Sequence, residues 1–212
     1  MKTIQTNGIT FLTPLTEQPD WYWGTDYTYG DLYEAEELFH QGDFIPKNRM
    51  IFVHYPDGSV LEPIIAEDGQ YFGRPTWNQG QLVLLLVDFP RQTIHLIKHD
   101  PSTCKTVLIA ALPLSMVEDC YNLHLFSDPL ILTRHSLEDK FQILWPDTTE
   151  MQLSPRECFD HREGDELYFC AWQEDPDYRE EVLVRDFHSG KLLRRMDGSL
   201  ITMPGGLKWL LV

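Results

Sequence analysis

Six of the thirteen residues from 21 to 33 are aromatic, and two carboxylates sit among them. Trp and Tyr offer flat apolar faces with a polar tip, which suits stacking on sugars, caging a cation or anchoring a protein partner. Trp21, Trp23, Asp26, Tyr27, Tyr29, Asp31 and Tyr33 are therefore the candidate binding residues, with the two Asp placed to accept from a hydroxyl or attract a positive charge. The competing use of the same rings is to anchor the core or its loops.

A second candidate is the segment from Trp172 to Glu181. It gathers Glu174, Asp175, Asp177, Glu180 and Glu181 beside Trp172 and Tyr178. Glycoside hydrolysis needs two carboxylates across a sugar ring, one protonated and one ionised. A solvated acidic loop is the plainer reading. Asp175-Pro176-Asp177 lacks the spacing of an EF-hand calcium loop.

The remaining reactive residues form no motif. His95 and His99 on a strand would lie roughly 13 Å apart, too far for one metal ion. His124 and His135 fall on neighbouring expected strands, without an evident third ligand. The four cysteines, Cys104, Cys120, Cys158 and Cys170, contain no Cys-x-x-Cys pair. Cys120 and His124 are four apart, but nothing nearby lowers a thiol pKa. Gly-x-Ser-x-Gly, the P-loop and the dinucleotide fingerprint are absent. The reading assigns no catalytic residue, no metal and no cofactor.

Seventeen Lys and Arg stand against 33 Asp and Glu, a formal net charge of −16. Such a surface repels phosphate backbones and anionic lipid, so nucleic acid and membrane are not expected partners. The N-terminal residues carry no apolar signal-peptide core, and the longest apolar run, Leu82 to Val87, falls far short of a bilayer span. With free cysteines expected, the expected compartment is the reducing cytoplasm.

The elements that must position these residues are mostly strands. Asn7-Gly8 between Ile4 and Leu12 predicts an N-terminal hairpin. Asp31 as N-cap with Glu34 three residues on, then Leu32, Ala35, Leu38 and Phe39 at helical spacing, predicts one short helix over about 31–41. Met50–Tyr55 and Val60–Ile65 read as a hairpin around Pro56-Asp57-Gly58-Ser59. Continuous apolar strands starting near Gln81, Pro129, Glu166 and Leu207 recur at about 40 residues, each of the first three followed by alternating strands. Leu82 to Val87 has no polar side and predicts burial on both faces.

This pattern resembles β-propeller blades, an architecture and not a named family, since neither the WD nor the kelch signature is present. The expectation is one all-β domain over 1–212. It is a propeller-like ring of roughly five small antiparallel sheets, closed by pairing of the N- and C-terminal strands, and a β-sandwich is the alternative. Without a catalytic motif, the expected function is an intracellular, non-catalytic binding or protein-interaction module for a protein partner or a small polar ligand. The alternative is a carbohydrate-active hydrolase using carboxylates such as those of residues 174–181.

Overall fold

Alternating apolar residues, interrupted by Gly, Pro and Asp turns, fold the chain into successive antiparallel meanders rather than two long facing sheets. The computed structural model describes residues 1–26 and 30–212. The first sheet contains β1 (Thr13–Pro14), β2 (Trp21–Thr25), β3 (Met50–His54) and β4 (Val60–Leu61), with helix α1 (Leu32–His40) inserted between β2 and β3. The second contains β5 (Gln70–Phe72), β6 (Thr76–Asn78), β7 (Gln81–Asp88), β8 (Thr93–Asp100) and β9 (Lys105–Pro113); β5 and β6 both pair with β7. The third runs β10 (His124–Ser127), β11 (Leu130–His135), β12 (Lys140–Trp145) and β13 (Thr149–Gln152). The fourth runs β14 (Glu157–Glu163), β15 (Glu166–Gln173), β16 (Arg179–Asp186) and β17 (Leu192–Asp197). A C-terminal hairpin of β18 (Ser199–Thr202) and β19 (Lys208–Leu211) is the fifth sheet.

The fold is all-β and propeller-like, and the β-sandwich alternative is set aside. Its core lies in layers between consecutive sheets. Leu82, Leu84 and Leu86 of β7 pack against Trp21, Met50 and Phe52 of the first sheet. Val83, Leu85 and Val87, on the opposite face of β7, pack with Leu125, Leu132 and Leu144 of the third sheet and with Leu32 and Ala35 of α1. Residues of a strand alternate between faces, so a strand wedged between two sheets has no polar side. Ile131, Phe141 and Ile143 then meet Leu167, Phe169 and Leu183 of the fourth sheet.

Helix α1 forms where the sequence places it. The Asp31 side chain accepts from the backbone N–H groups of Tyr33 and Glu34 at 2.8 and 3.1 Å, and Glu34 Oε2 accepts from Asp31 N at 2.7 Å. This reciprocal capping box satisfies donors that a helix start leaves open. The helix hangs on the rest of the fold through Glu36. That buried carboxylate accepts from the backbone N–H of Cys120 at 2.6 Å.

Two expectations need correction. The apolar strands starting near Gln81, Pro129 and Glu166 are the second strands of their sheets, not the first. Each is preceded by shorter strands (β5 and β6, β10, and β14), of which β6, β10 and β14 line a central channel and carry polar residues that hide them from a hydrophobic pattern. In β15, Leu167 and Phe169 are buried, whereas Tyr168 and Cys170 are half-buried.

The second correction concerns closure. Among the described residues the terminal strands do not pair with each other: β19 pairs with β18, and β1 with β2. Asn7 and Gly8 adopt the positive φ that the Asn-Gly turn requires, 52° and 100°. However, residues 3–12 form no ladder. Ile4, Ile9 and Leu12 instead cover Ile51 and Val53 of the first sheet, so their apolar surface is already used. Trp209 stays 52% exposed and Leu211 48% exposed.

Candidate functional site

The inner strands of the sheets converge on an open channel of about 1160 Å³. All five sheets contribute: Pro14 and Trp23 from the first, Thr76 to Asn78 from the second, His124 to Ser127 from the third, Phe159 to Glu163 from the fourth, and Thr202 and Lys208 from the hairpin. A hydrogen bond links the second and third sheets at the wall, and a second one holds its donor in place. Asn78 Nδ2 donates to the Ser127 carbonyl at 2.6 Å, and Lys98 Nζ donates to Asn78 Oδ1 at 3.0 Å.

The densest polar network joins the fourth sheet to the hairpin. Lys208 Nζ lies 2.8 Å from Asp160 Oδ2 and donates to Thr202 Oγ1 at 2.7 Å. His161 Nδ1 lies 2.6 Å from the same Asp160 oxygen, and its Nε2 lies 3.5 Å from Glu163 Oε1. The buried imidazole stacks on Tyr168 at 4.3 Å between ring centroids. Burial opposes ionisation of Asp160, but the hydrogen bonds from His161 and Lys208 outweigh it and hold its pKa below the ordinary carboxylate value. Other channel carboxylates are not so engaged. Among the described residues, Glu17 and Asp128 have no hydrogen-bond or ion-pair partner.

A smaller cavity of about 170 Å³ lies beside the channel, between the start of α1, β5 and the loop before β10. Trp23, Arg74 and His124 line both spaces. Arg74 sits in the Gly73-Arg74-Pro75 break between β5 and β6. A Cβ at position 73 would fall 2.6 Å from Leu85 Cδ2 and 2.8 Å from Leu32 Cδ1, so only glycine lets the break pack this tightly. His124 is open to water on the channel side yet crowded by the strands around it. That confinement, with the Arg74 charge nearby, holds its pKa below the usual imidazole value against the pull of Asp31.

The candidate binding residues of the aromatic segment are dispersed. Trp21 is in the core, with its ring 4.7 Å from His54 and 6.2 Å from Trp77. Asp26 holds the chain locally, accepting from Asn48 Nδ2 at 2.6 Å and from Arg49 N at 3.2 Å. Asp31 caps α1 and borders the smaller cavity. Tyr33 meets the edge of Tyr121 at 5.6 Å. Trp23 reaches both cavities. Tyr27 and Tyr29 lie outside the described residues.

None of residues 174–181 is among those lining the channel. Glu181 is paired with Arg195 at 2.8 Å, and Tyr178 donates to Glu180 at 2.5 Å. His124 faces Thr133 in the β10–β11 register, so His124 and His135 are not cross-strand partners. Burial and the Glu36 carboxylate push the Cys120 thiol up, opposite to what a nucleophile requires. The sequence reading missed Arg74, the adjacent Asp160 and His161, and Lys208 because these three places in the chain are joined by no characteristic spacing.

No protein-family model and no curated protein matches this chain. Solved structures with a similar chain path include dipeptidyl peptidase 4 of Porphyromonas gingivalis, at TM-score 0.43 and 12% identity over 94% of this chain and 33% of that one. An exo-β-1,3-galactanase of Phanerochaete chrysosporium gives 0.41 and 11%, over 92% and 50%. Prolyl oligopeptidase B of Galerina marginata gives 0.41 and 12%, over 92% and 29%. The chain thus spans between 29% and 50% of the length of these structures. What the channel can do follows from this chain's own residues.

Proposed function

We propose that the protein is a binding module whose central channel receives a small polyhydroxylated ligand of the carbohydrate class. One observation carries this reading. The channel wall sets the Trp23 and Trp77 rings among the unpaired Glu17 and Asp128 carboxylates and the Arg74 and His124 side chains. A sugar presents both an apolar C–H face and a ring of hydroxyls, which matches aromatic walls bearing a few convergent polar groups.

The test is a thermal-shift screen of neutral and acidic monosaccharides, with Trp23→Ala and Trp172→Ala as variants. A ligand at a hundred times its Kd adds about 2.7 kcal/mol to stability, which shifts Tm by several degrees. The expected result is a shift that Trp23→Ala abolishes and that Trp172→Ala, outside the channel, retains. A flat panel with folded protein contradicts the reading.

A second reading is hydrolysis of a glycoside, favoured by the unpaired Glu17 and Asp128 in the same channel. It places the reacting carboxylates in the channel and not in residues 174–181. Turnover of p-nitrophenyl glycosides, lost in both Glu17→Gln and Asp128→Asn, would support it. Binding without turnover leaves the module non-catalytic.

A further inference from the structure

We infer that the ligand carries one anionic group, a carboxylate or phosphate on an otherwise hydroxylated ring, and that Arg74 and His124 hold it where the channel meets the smaller cavity. This rests on the sugar-binding reading above.

The charge pattern of the chain motivates it. Acids outnumber Lys and Arg by 33 to 17, so an arginine here ordinarily finds a carboxylate. Arg49 pairs with Glu62, Arg91 with Asp88, Arg134 with Asp119, Arg185 with Glu157, Arg194 with Glu166 and Arg195 with Glu181. Arg74 has no hydrogen bond or ion pair among the described residues, although it lines two cavities. Its backbone is fixed by the close packing of Gly73 on Leu85 and Leu32. The nearby acid, Asp31, caps α1 through Oδ1, which accepts from Tyr33 N and Glu34 N, and makes no ion pair with Arg74 among the described residues.

His124 stands beside this guanidinium and also lacks a hydrogen-bond partner among the described residues. Crowding by the surrounding strands, and after it the Arg74 charge, disfavour a positive charge on the ring. The imidazole therefore offers a neutral N–H next to a permanent cation, and the two can grip one anion from two directions. A guanidinium fork matches carboxylate and phosphate oxygens bidentately. Trp23 lines the same junction and offers a face for the attached ring. Elsewhere the channel bears five carboxylates, Glu17, Asp128, Asp147, Asp160 and Glu163, against the two cations Arg162 and Lys208, an excess that disfavours additional negative charge. The site thus takes one anionic group and rejects a polyanion.

The experiment is isothermal titration of the full chain with D-glucuronate and D-galacturonate, with the corresponding hexose 6-phosphates, and with neutral D-glucose and D-galactose. Inorganic phosphate is titrated alone. The proteins are wild type, Arg74→Gln, His124→Gln and, as a control outside the channel, Arg179→Gln; circular dichroism verifies folding. Acidic sugars are expected to bind at least about tenfold tighter than the matching neutral sugar, the scale of one charge-assisted hydrogen-bond pair. Arg74→Gln should bring that ratio close to one, His124→Gln should lower it, and Arg179→Gln should leave it intact. Whether uronates or hexose phosphates gain more identifies the anion. A neutral sugar that binds as tightly as its acidic counterpart, or a ratio that survives Arg74→Gln, overturns the inference while sugar binding stands. Phosphate alone binding as tightly as the acidic sugars, with loss in Arg74→Gln, supports the anion site and overturns the sugar reading. No binding by any probe overturns both.

Discussion

Lys208, on the last strand of the chain, places its ammonium 2.8 Å from the Asp160 carboxylate on the inner strand of the fourth sheet. The contact fixes the C-terminal hairpin at the wall of the channel, and β18 also packs against β16. The two residues are each less than a quarter exposed. Breaking such a charged hydrogen bond leaves a partner desolvated without compensation.

Lys208→Met should therefore lower stability by about 1–3 kcal/mol. The hairpin should also lose protection first in hydrogen exchange, ahead of the other sheets. Urea unfolding followed by exchange mass spectrometry reads both effects. Equal stability and unchanged exchange in residues 199–211 would show that Lys208 does not anchor the hairpin.

Trp21 and Trp23 are two residues apart but do different work. Trp21 is buried against Phe52 and Leu84, so Trp21→Ala should cost about 3–5 kcal/mol. Trp23 lines the cavities, so Trp23→Ala should cost distinctly less while removing ligand-induced stabilisation. Paired denaturation and ligand-shift measurements separate the two. A ligand shift that persists without the Trp23 ring contradicts its place in the site.

Glu36 predicts a pattern of thiol reactivity. Cys104 and Cys158 are exposed, whereas Cys120 is buried and its amide is held by Glu36. A disulfide reagent should modify Cys104 and Cys158 quickly and leave Cys120 unreacted until unfolding. Glu36→Ala should free the loop before β10 and make Cys120 react in the folded state, as peptide mapping would show. Fast labelling of wild-type Cys120 would contradict this packing.

Acid should weaken the fourth sheet through Glu157. Burial opposes ionisation of this carboxylate, but hydrogen bonds from Arg185 at 2.7 and 2.9 Å and from Ser154 N at 3.0 Å outweigh it, lowering its pKa. A depressed carboxylate pKa means that the unfolded state binds the proton more readily. The stabilisation is thus complete above the ordinary value of 4.5 and is lost as pH falls through the lower folded value. Stability measured downward from pH 6 should fall more steeply in wild type than in Glu157→Gln. Parallel curves would remove Glu157 from the acid response.

The legible parts of the sequence were those in which one residue type had one strong local use. Asp31 and Glu34 announced the start of α1, and Leu82 to Val87 announced a strand between two packed faces. The blade frame was misread by one strand because β10 and β14 mix polar and apolar residues along the channel. Chain closure was misread because Trp209 to Val212 resembles a buried strand, while Ile4 and Ile9 had a nearer surface to cover. The aromatic segment showed its composition but not that Trp21 and Trp23 would divide between core and cavity. Arg74 with His124, and Asp160 with Lys208, meet only through sheet packing, so no local spacing reports them. The meaning of Gly73 emerges only from the approach of Leu85 and Leu32.

Hydrogen-exchange mass spectrometry with and without saturating D-glucuronate and D-galacturonate tests the channel site most directly. Protection is expected in residues 73–78 and 124–127, with smaller effects in 159–163, and loss of that protection in Arg74→Gln. Protection confined to the exposed face of residues 207–212 or to residues 174–181, or none at all, would contradict a ligand site in the channel.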